Sequence, residues 1–534
     1  MLNLITDPWL PIRRLHSGRC TIRPAQLTAN ISGDPVIAVD WPRPDFRIAT
    51  LELLVGVLAT ACPPRDNDSW LEWWDKPPDL AALDAAFAPI AHAFELDGNG
   101  PRFLQDPDNL DVKTIPIERL LIDSPGENPT KKNTDLLVKR GRLESLARPA
   151  AAIALYTMQA FAPEGGSGNK VGLRGGGPMT TLVLPLAPAT LWHALWANVP
   201  LGLPPAVDQH RLVFPWLAPP PAAPALVVPE ITAHPLQVFW GMPRRIRLEF
   251  VQHKEPQRCG LTGSDDDVQV SGWRQTRYNR TYDGWGRRHP LTPYYAQKVG
   301  GEFLAVHPKS GGVGYRHWLG LVLQSPDGLR LPAASVSTWR TSRVRDVGRS
   351  EARLIAAGYS MDSMKASAFV ESDMPLPAAR DQAVQTQLDE TAIRLVRAAD
   401  AVARLLGYAV RAALFSPDAK VQPEAELLSS ARERLWEQTE AGFFNVLERS
   451  AVRPTTDPDP EPAAWLVRLR HAALALFDEA APLSPLSGSA APRIGRARRN
   501  LLFALTGFGK DGDALFEALG LPVAEPKAKQ RKAA

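Results

Sequence analysis

Cysteine is almost absent. Cys20, Cys62 and Cys259 are the only three in 534 residues, too few and too scattered for a disulfide framework, which fits a reducing compartment. Long hydrophobic runs are missing as well. No stretch of about 18 apolar residues occurs, so no membrane-spanning helix is expected. The N-terminal Met-Leu-Asn-Leu-Ile-Thr-Asp has neither a basic leader nor an apolar segment of secretory length, and a cytoplasmic protein that avoids membranes is expected. A charge of one sign is also lacking. Against 57 acidic residues stand 61 basic ones, a net charge of +4, so any argument for a polyanionic partner must rest on local clusters.

Catalytic signatures are equally sparse. The ten histidines are dispersed, none is followed by Asp, and there is no His-Glu-x-x-His, which removes the simplest metal-hydrolase patterns. Pro107-Asp108 with Asp111-x-Lys113 imitates a nuclease motif, but a two-residue gap leaves no room to bring carboxylates from separate strands around a metal. Asp265, Asp266 and Asp267 could bind a cation, but after Gly263-Ser264 they read better as a solvated acidic turn. Cys259, with only His253 nearby, does not make a metal site. No cofactor, no metal and no catalytic residue is expected.

What is plentiful is tryptophan, with 15 residues, and proline, with 51, the latter roughly double average usage and a sign of many turns. The length favours two domains. Residues 1–377 mix short strands and helices between Pro/Gly breaks: a hairpin over Leu10 to Ile22, a buried helix over Arg47 to Cys62, and strands over Arg245 to Val251, Phe303 to His307 and Trp318 to Gln324. Leu217 to Glu230 reads as an extended connector. From 378 to 534 the texture is helical. Leu388, Ala392, Leu395, Ala399, Val402, Leu406 and Ala409 form one amphipathic stripe, and Glu424 to Leu447, Ala463 to Phe477 and Ile494 to Leu505 follow. Four helices with short connections predict an antiparallel bundle, with a basic, disordered tail from Glu525. The fold class is α+β: an irregular mixed domain followed by a four-helix bundle.

Local chemistry points to an anion. Residues Gly165-Gly166-Ser167-Gly168-Asn169-Lys170-Val171-Gly172-Leu173-Arg174-Gly175-Gly176-Gly177 hold seven glycines in thirteen positions. The Gly-Lys-Ser/Thr ending of a phosphate loop is absent, and Val171 stands where a dinucleotide fingerprint needs a third Gly. Glycine lets a backbone approach another molecule closely, and Lys170 and Arg174 suggest that this molecule is anionic; the other reading is a plain surface loop. Three basic clusters accompany it. Lys131, Lys132, Lys139, Arg140, Arg142 and Arg148 face two acids, Asp135 and Glu144. Arg274, Arg277, Arg280, Arg287 and Arg288 interleave with Trp273, Tyr278, Tyr282 and Trp285, a mixture of phosphate contacts and stacking surfaces. Arg340, Arg343, Arg345 and Arg349 make the third. Two function classes remain: a nucleic-acid recognition protein, or a metal-dependent nuclease or other hydrolase with an unrecognised site.

At these residues the chain resembles a known family. Asp7-Pro8-Trp9-Leu10-Pro11, Arg43-Pro44-Asp45-Phe46, Phe103-Leu104-Gln105-Asp106, the glycine stretch with Leu173-Arg174-Gly175-Gly176 and Thr180-Thr181, Phe239-Trp240-Gly241, the segment around Trp285 and Gly358-Tyr359 are similar in order and spacing to CasA, the large subunit of the type I-E CRISPR Cascade complex. The resemblance implies a non-catalytic subunit working with other Cascade subunits, crRNA and double-stranded target DNA. Such a subunit recognises the protospacer-adjacent motif from the minor groove, promotes R-loop formation and helps dock the helicase-nuclease. It implies a DNA-binding glycine loop at Gly165, Gly166, Ser167, Gly168 and Lys170, and a basic finger at Arg277 with Arg274 beside it. A loop of Lys131, Lys132, Asn133, Lys139, Arg140 and Arg142 would meet DNA or crRNA. A strand-separating wedge would fall on Met361, Asp362, Ser363 and Met364, with Lys365 behind it. Met361 and Met364 could instead pack into the core. The zinc-binding cysteine cluster of some family members has no counterpart.

Overall fold

The computed structural model describes residues 1–136, 138–165, 169–218, 225–277, 279–282, 285, 288–347, 351–362, 364–416, 426–457, 459–483, 488 and 490–523. They divide into two compact units, one of Met1–Gly312 with Gly320–Leu376, the other of Val313–Leu319 with Pro377–Ala534. The class is α+β.

The first unit is built around the helix Pro44–Ala61. Pro44 opens it at the position where a missing N–H leaves nothing unpaired. Apolar residues lie on every side of this helix, so it is buried all round. Asp45 and Glu52 are carried inside with it. The helix Arg148–Phe161 packs alongside. Two antiparallel sheets hold the segments that carry the candidate site residues. In one, Ala352–Asp362 lies between Lys365–Pro375 and Thr180–Pro185. In the other, the long hairpin Arg245–Arg258 and Asp265–Thr276 is flanked by the short strands Ile115–Pro116 and Leu146–Ala147. The hairpin expected at the N-terminus forms from Leu10–Arg14 and Arg19–Ile22, with Gly18 turning at φ 81°.

Two local expectations change. The apolar run from Trp318 is not a strand: Trp318–Leu321 is a short helix, and Trp318 is buried edge-on against Phe443 and Phe444. Packing of one large ring, not alternation across a ladder, accounts for the run. The connector from Leu217 contains a short strand, Ala225–Val227, paired in parallel with Asn279–Thr281; residues 219–224 lie outside the described residues.

In the second unit, the four expected helices are Gln382–Leu414, Glu426–Ser450, Glu461–Ala480 and Ala491–Leu505, and a shorter fifth, Gly509–Leu519, follows. Every residue of the stripe from Leu388 to Ala409 is buried. Asp381 caps the first helix by accepting from the Ala383 and Val384 N–H groups at 2.9 and 3.0 Å. Val313–Leu319 completes this core from far upstream. Tyr315 stacks on Phe443 at 4.6 Å, and its hydroxyl lies 2.5 Å from that of Thr439. Among the described residues no helix is long and apolar enough to cross a membrane.

Candidate nucleic-acid interface

The glycine stretch is tied to the core at its far end. Arg174 is not a surface cation beside Lys170, as its place in the loop suggested, but an internal one. Its guanidinium donates to Glu52 at 2.9 Å and to the Thr180 and Thr292 hydroxyls at 3.2 Å. Thr180 and Tyr156 donate to the same carboxylate at 2.7 and 3.2 Å. Burial works against the Arg174 charge, yet Glu52 outweighs it and holds the arginine above its ordinary value. The Arg174 carbonyl meets the His307 ring nitrogen at 2.9 Å. A second buried carboxylate, Asp45, takes the Tyr359 hydroxyl and the Arg43 guanidinium. Two motifs distant in sequence, Arg43 to Phe46 and Gly358-Tyr359, are thus joined by one hydrogen bond.

Above this anchor the near end of the stretch reaches the other candidates. Gly165 and Asn169 bridge each other; Gly166, Ser167 and Gly168 lie outside the described residues. Asn169 accepts from Gln275, on the strand that ends at Thr276, between Arg274 and Arg277 in sequence. At the far end, Gly177 has φ 68°, and a Cβ there would come within 2.5 Å of the Tyr359 carbonyl and 2.7 Å of the Met361 methyl. Only glycine allows that approach. The flanks of the glycine stretch therefore touch both the strand carrying the basic finger and the hairpin carrying the wedge candidates. Between its 170–175 portion and residues 281–307 opens a cleft of about 700 Å³. Lys170, Trp285, Arg288, Tyr295 and Phe303 line it. Lys170 lies 3.3 Å from Glu164, and Arg288 stacks over the Phe303 ring at 4.6 Å.

The basic clusters divide sharply. In the second, Trp273 and Tyr282 are buried, so they are core residues and not stacking surfaces. The Tyr282 hydroxyl accepts from the Met242 N–H at 2.8 Å. Arg280 is buried and donates to the Pro215 carbonyl. Arg274 donates to Glu249 at 2.6 Å, while Arg277 is exposed just past the strand. Tyr278 and Arg287 lie outside the described residues. The third cluster is a correction: Arg340 and Arg343 are buried. Arg343 sits over Trp70 at 4.7 Å and donates to the Ala197 and Val199 carbonyls, and burial pushes its pKa down to about 9.

In the first cluster, Lys132, Lys139 and Arg142 are exposed. Lys131 pairs with Glu127, and Arg140 closes the loop on Asp135, the Thr130 carbonyl and the Asn133 side chain. Arg148 does not join them. It is half-buried and binds Asp97, Asp266 and Asp267, so the acidic triplet is the start of a strand and not a turn, with Asp265 and Asp267 exposed to solvent. Beside the nuclease-like run, Asp106 is fully buried and takes Arg245 at 2.5 Å; within the run, Asp108 accepts from the same arginine at 2.9 Å, while Asp111 and Lys113 are exposed.

At the hairpin tip the two methionines part company. Met361 is half-buried beside Gly177, and Met364 is 60% exposed. Asp362 pairs with Lys365 across the turn; Ser363 lies outside the described residues. Sequence reasoning missed Glu52, although an acid inside the run Leu51 to Ala61 signals a buried carboxylate that must be paired, and it quoted Asp45 only as part of a motif. Tyr295 and His307 carried no signal.

Comparison with known proteins identifies the family. The family of CRISPR-associated protein Cse1 matches residues 3–476. The chain belongs to this family. Cse1 of Thermobifida fusca is similar in structure, with a TM-score of 0.71 at 19% identity over 97% of this chain and 98% of that one. Thermus thermophilus CasA (Cse1) gives 0.63 at 18% over 97% and 99%. A chain of a CRISPR RNA-guided surveillance complex gives 0.69 at 19% over 94% and 99%. At such identities the structural likeness establishes a shared Cse1 fold.

Proposed function

We propose that the chain is the non-catalytic large subunit of a crRNA-guided type I-E Cascade complex. It assembles with the other Cascade subunits and crRNA in the cytoplasm and binds double-stranded target DNA. It recognises the protospacer-adjacent motif from the minor groove, promotes strand separation and R-loop formation, and helps recruit the helicase-nuclease. Residues 1–377 carry recognition, and residues 378–534 form the helical domain. Family membership and likeness to a surveillance-complex chain support the assembly. The observation that carries the recognition role is the meeting of the glycine stretch with the Arg274–Arg277 strand end and the Met361–Met364 hairpin.

Minor-groove edges are degenerate, so a reader there gains from close backbone approach and groove shape. Gly165, Gly166, Ser167 and Gly168 supply the approach, with Lys170 on a phosphate. Arg277 reaches the groove, and Arg274, already held by Glu249, orients the strand. Lys131, Lys132, Asn133, Lys139, Arg140 and Arg142 form the loop facing duplex or crRNA. Met364 is the wedge, with Met361 as its footing and Asp362, Ser363 and Lys365 shaping the tip. Pairing with crRNA reads sequence while the protein reads the short motif.

The deciding experiment is target binding by the assembled complex with and without this chain, then with Gly166→Asp, Gly168→Asp and Arg277→Ala. The glycine variants should fold and lose target binding; Arg277→Ala should lose affinity or motif preference. Near-normal binding by well-folded variants would overturn the assignment. The second reading, a metal-dependent nuclease, predicts cleavage by the purified chain with a divalent cation. The pairing of Asp108 with Arg245 speaks against it as a free metal ligand.

A further inference from the structure

The helical unit carries a surface that the recognition role leaves unused. Along the helix Ala491–Leu505, Arg496, Arg499 and Phe503 are spaced by three and four residues and share one exposed face. The helix then ends in a tight cap. The Gly507 N–H donates to the Ala504 carbonyl at 3.1 Å, the Phe508 N–H donates to the Phe503 carbonyl at 3.0 Å, and Gly507 has φ 86°. This double bond pattern brings the residue after the glycine back onto the last helical turn. The Phe503 and Phe508 rings consequently meet edge to face, with centroids 5.9 Å apart and planes at 89°. Lys510 follows in the first turn of the next helix.

The cap explains why the rings touch. It does not explain why they remain 51% and 55% exposed, or why exposed cations precede and follow them along the chain. Several arginines of this unit are matched to acids: Arg434 with Glu479, Arg449 with Glu461, Arg498 with Asp478. Arg496, Arg499 and Lys510 make no side-chain ion pair among the described residues. Asp511, beside Lys510, sits at a helix N-terminus, where a carboxylate complements the helix dipole.

We propose that Phe503 and Phe508 form a stacking platform for unpaired bases of a single-stranded nucleic acid, with Arg496, Arg499 and Lys510 on its phosphates. A protein-docking patch is typically depleted of charge at its centre, whereas fixed rings interleaved with unmatched cations are what single strands use. Rings can stack only on bases that are not already paired, so the platform selects single strand over duplex.

The test uses the full chain and a fluorescein-labelled oligodeoxythymidine, with a blunt duplex in parallel. Phe503→Ala with Phe508→Ala should weaken single-strand binding about tenfold and leave duplex binding unchanged. Arg496→Gln with Arg499→Gln should lower the slope of log affinity against log salt by about 1.4 for the single strand. A 5-iodouracil-substituted oligonucleotide should crosslink to Phe503 or Phe508, and this readout decides if the phenylalanine variant does not fold. Unchanged single-strand affinity in the folded phenylalanine variant would overturn the platform, as would crosslinks confined to other segments. Loss of co-purification with another protein subunit at unchanged oligonucleotide affinity would overturn it in favour of protein docking. Arg277→Ala, expected to weaken duplex binding alone, keeps failure of this site distinct from failure of the recognition reading.

Discussion

Arg343 and Arg140 both donate to backbone carbonyls, but in opposite surroundings. Arg343 is 1% exposed, spread over the Trp70 face, with the Ala197 and Val199 carbonyls replacing its water. Arg140 lies in an exposed loop and grips Asp135 and the Thr130 carbonyl. Water competes for every contact of the second and for none of the first. An arginine-rich stretch is therefore a binding surface or a piece of core according to what surrounds it, and its composition is neutral between the two.

The sharpest way to break this comparison is truncation. Arg343→Ala leaves two buried carbonyls without donors and should cost about 3–5 kcal/mol, read by chemical denaturation. Arg174→Ala, which strands Glu52, should cost a similar ~3–5 kcal/mol. Arg140→Ala, on a solvent-screened pair, should leave the unfolding midpoint nearly unchanged. Equal losses at positions 343 and 140 would end the distinction.

Acid tests the same contrast with protons. Burial lowers the affinity of His193 and His307 for a proton, and that of His289 falls furthest, through burial and then the neighbouring Arg174 charge. Below the ordinary histidine value of 6.5 the unfolded chain takes up protons that the folded chain refuses. Stability should therefore be flat above about pH 7 and fall on acidification, by up to roughly 1.4 kcal/mol per pH unit for each such histidine. Melting temperature against pH checks this, and His289→Gln should make the fall shallower.

Smaller effects separate the remaining pairs. Met361→Ala should destabilise by about 1 kcal/mol, whereas Met364→Ala should change stability by less than ~0.5 kcal/mol yet slow opening of the first target bases. In the exposed loop, Lys132→Ala, Lys139→Ala and Arg142→Ala should leave stability within about 0.5 kcal/mol. Each that meets a duplex phosphate should lower the salt slope by about 0.9.

Much of the architecture was legible because periodicity reports burial directly. The stripe from Leu388 to Ala409 declares itself by spacing, and the helix Pro44–Ala61 by apolar residues on every side. The fifth helix of the second unit was missed because Gly507, Gly509 and Gly512 interrupt its start. Trp318 misled, since a short apolar run has the same composition as a strand or as one packed turn. At the candidate site, the glycine stretch was visible from composition and its neighbours from resemblance. The buried partners were not: pairing Arg174 with Glu52, or Arg148 with Asp266, depends on contacts over a hundred residues apart, which no local pattern encodes.

Tyr315 is synthesised long before the residues that enclose it. Phe443 and Trp465, which flank its ring, are added more than a hundred positions later, so during translation the helical core cannot close in simple N-to-C order. A fragment beginning at residue 378 would carry every helix of that core and still lack its central ring. The vacancy would leave the Thr439 hydroxyl without the Tyr315 partner and Phe443 open to water. Limited proteolysis between the two units should accordingly release no independently stable C-terminal piece, even though the cut would fall outside every helix.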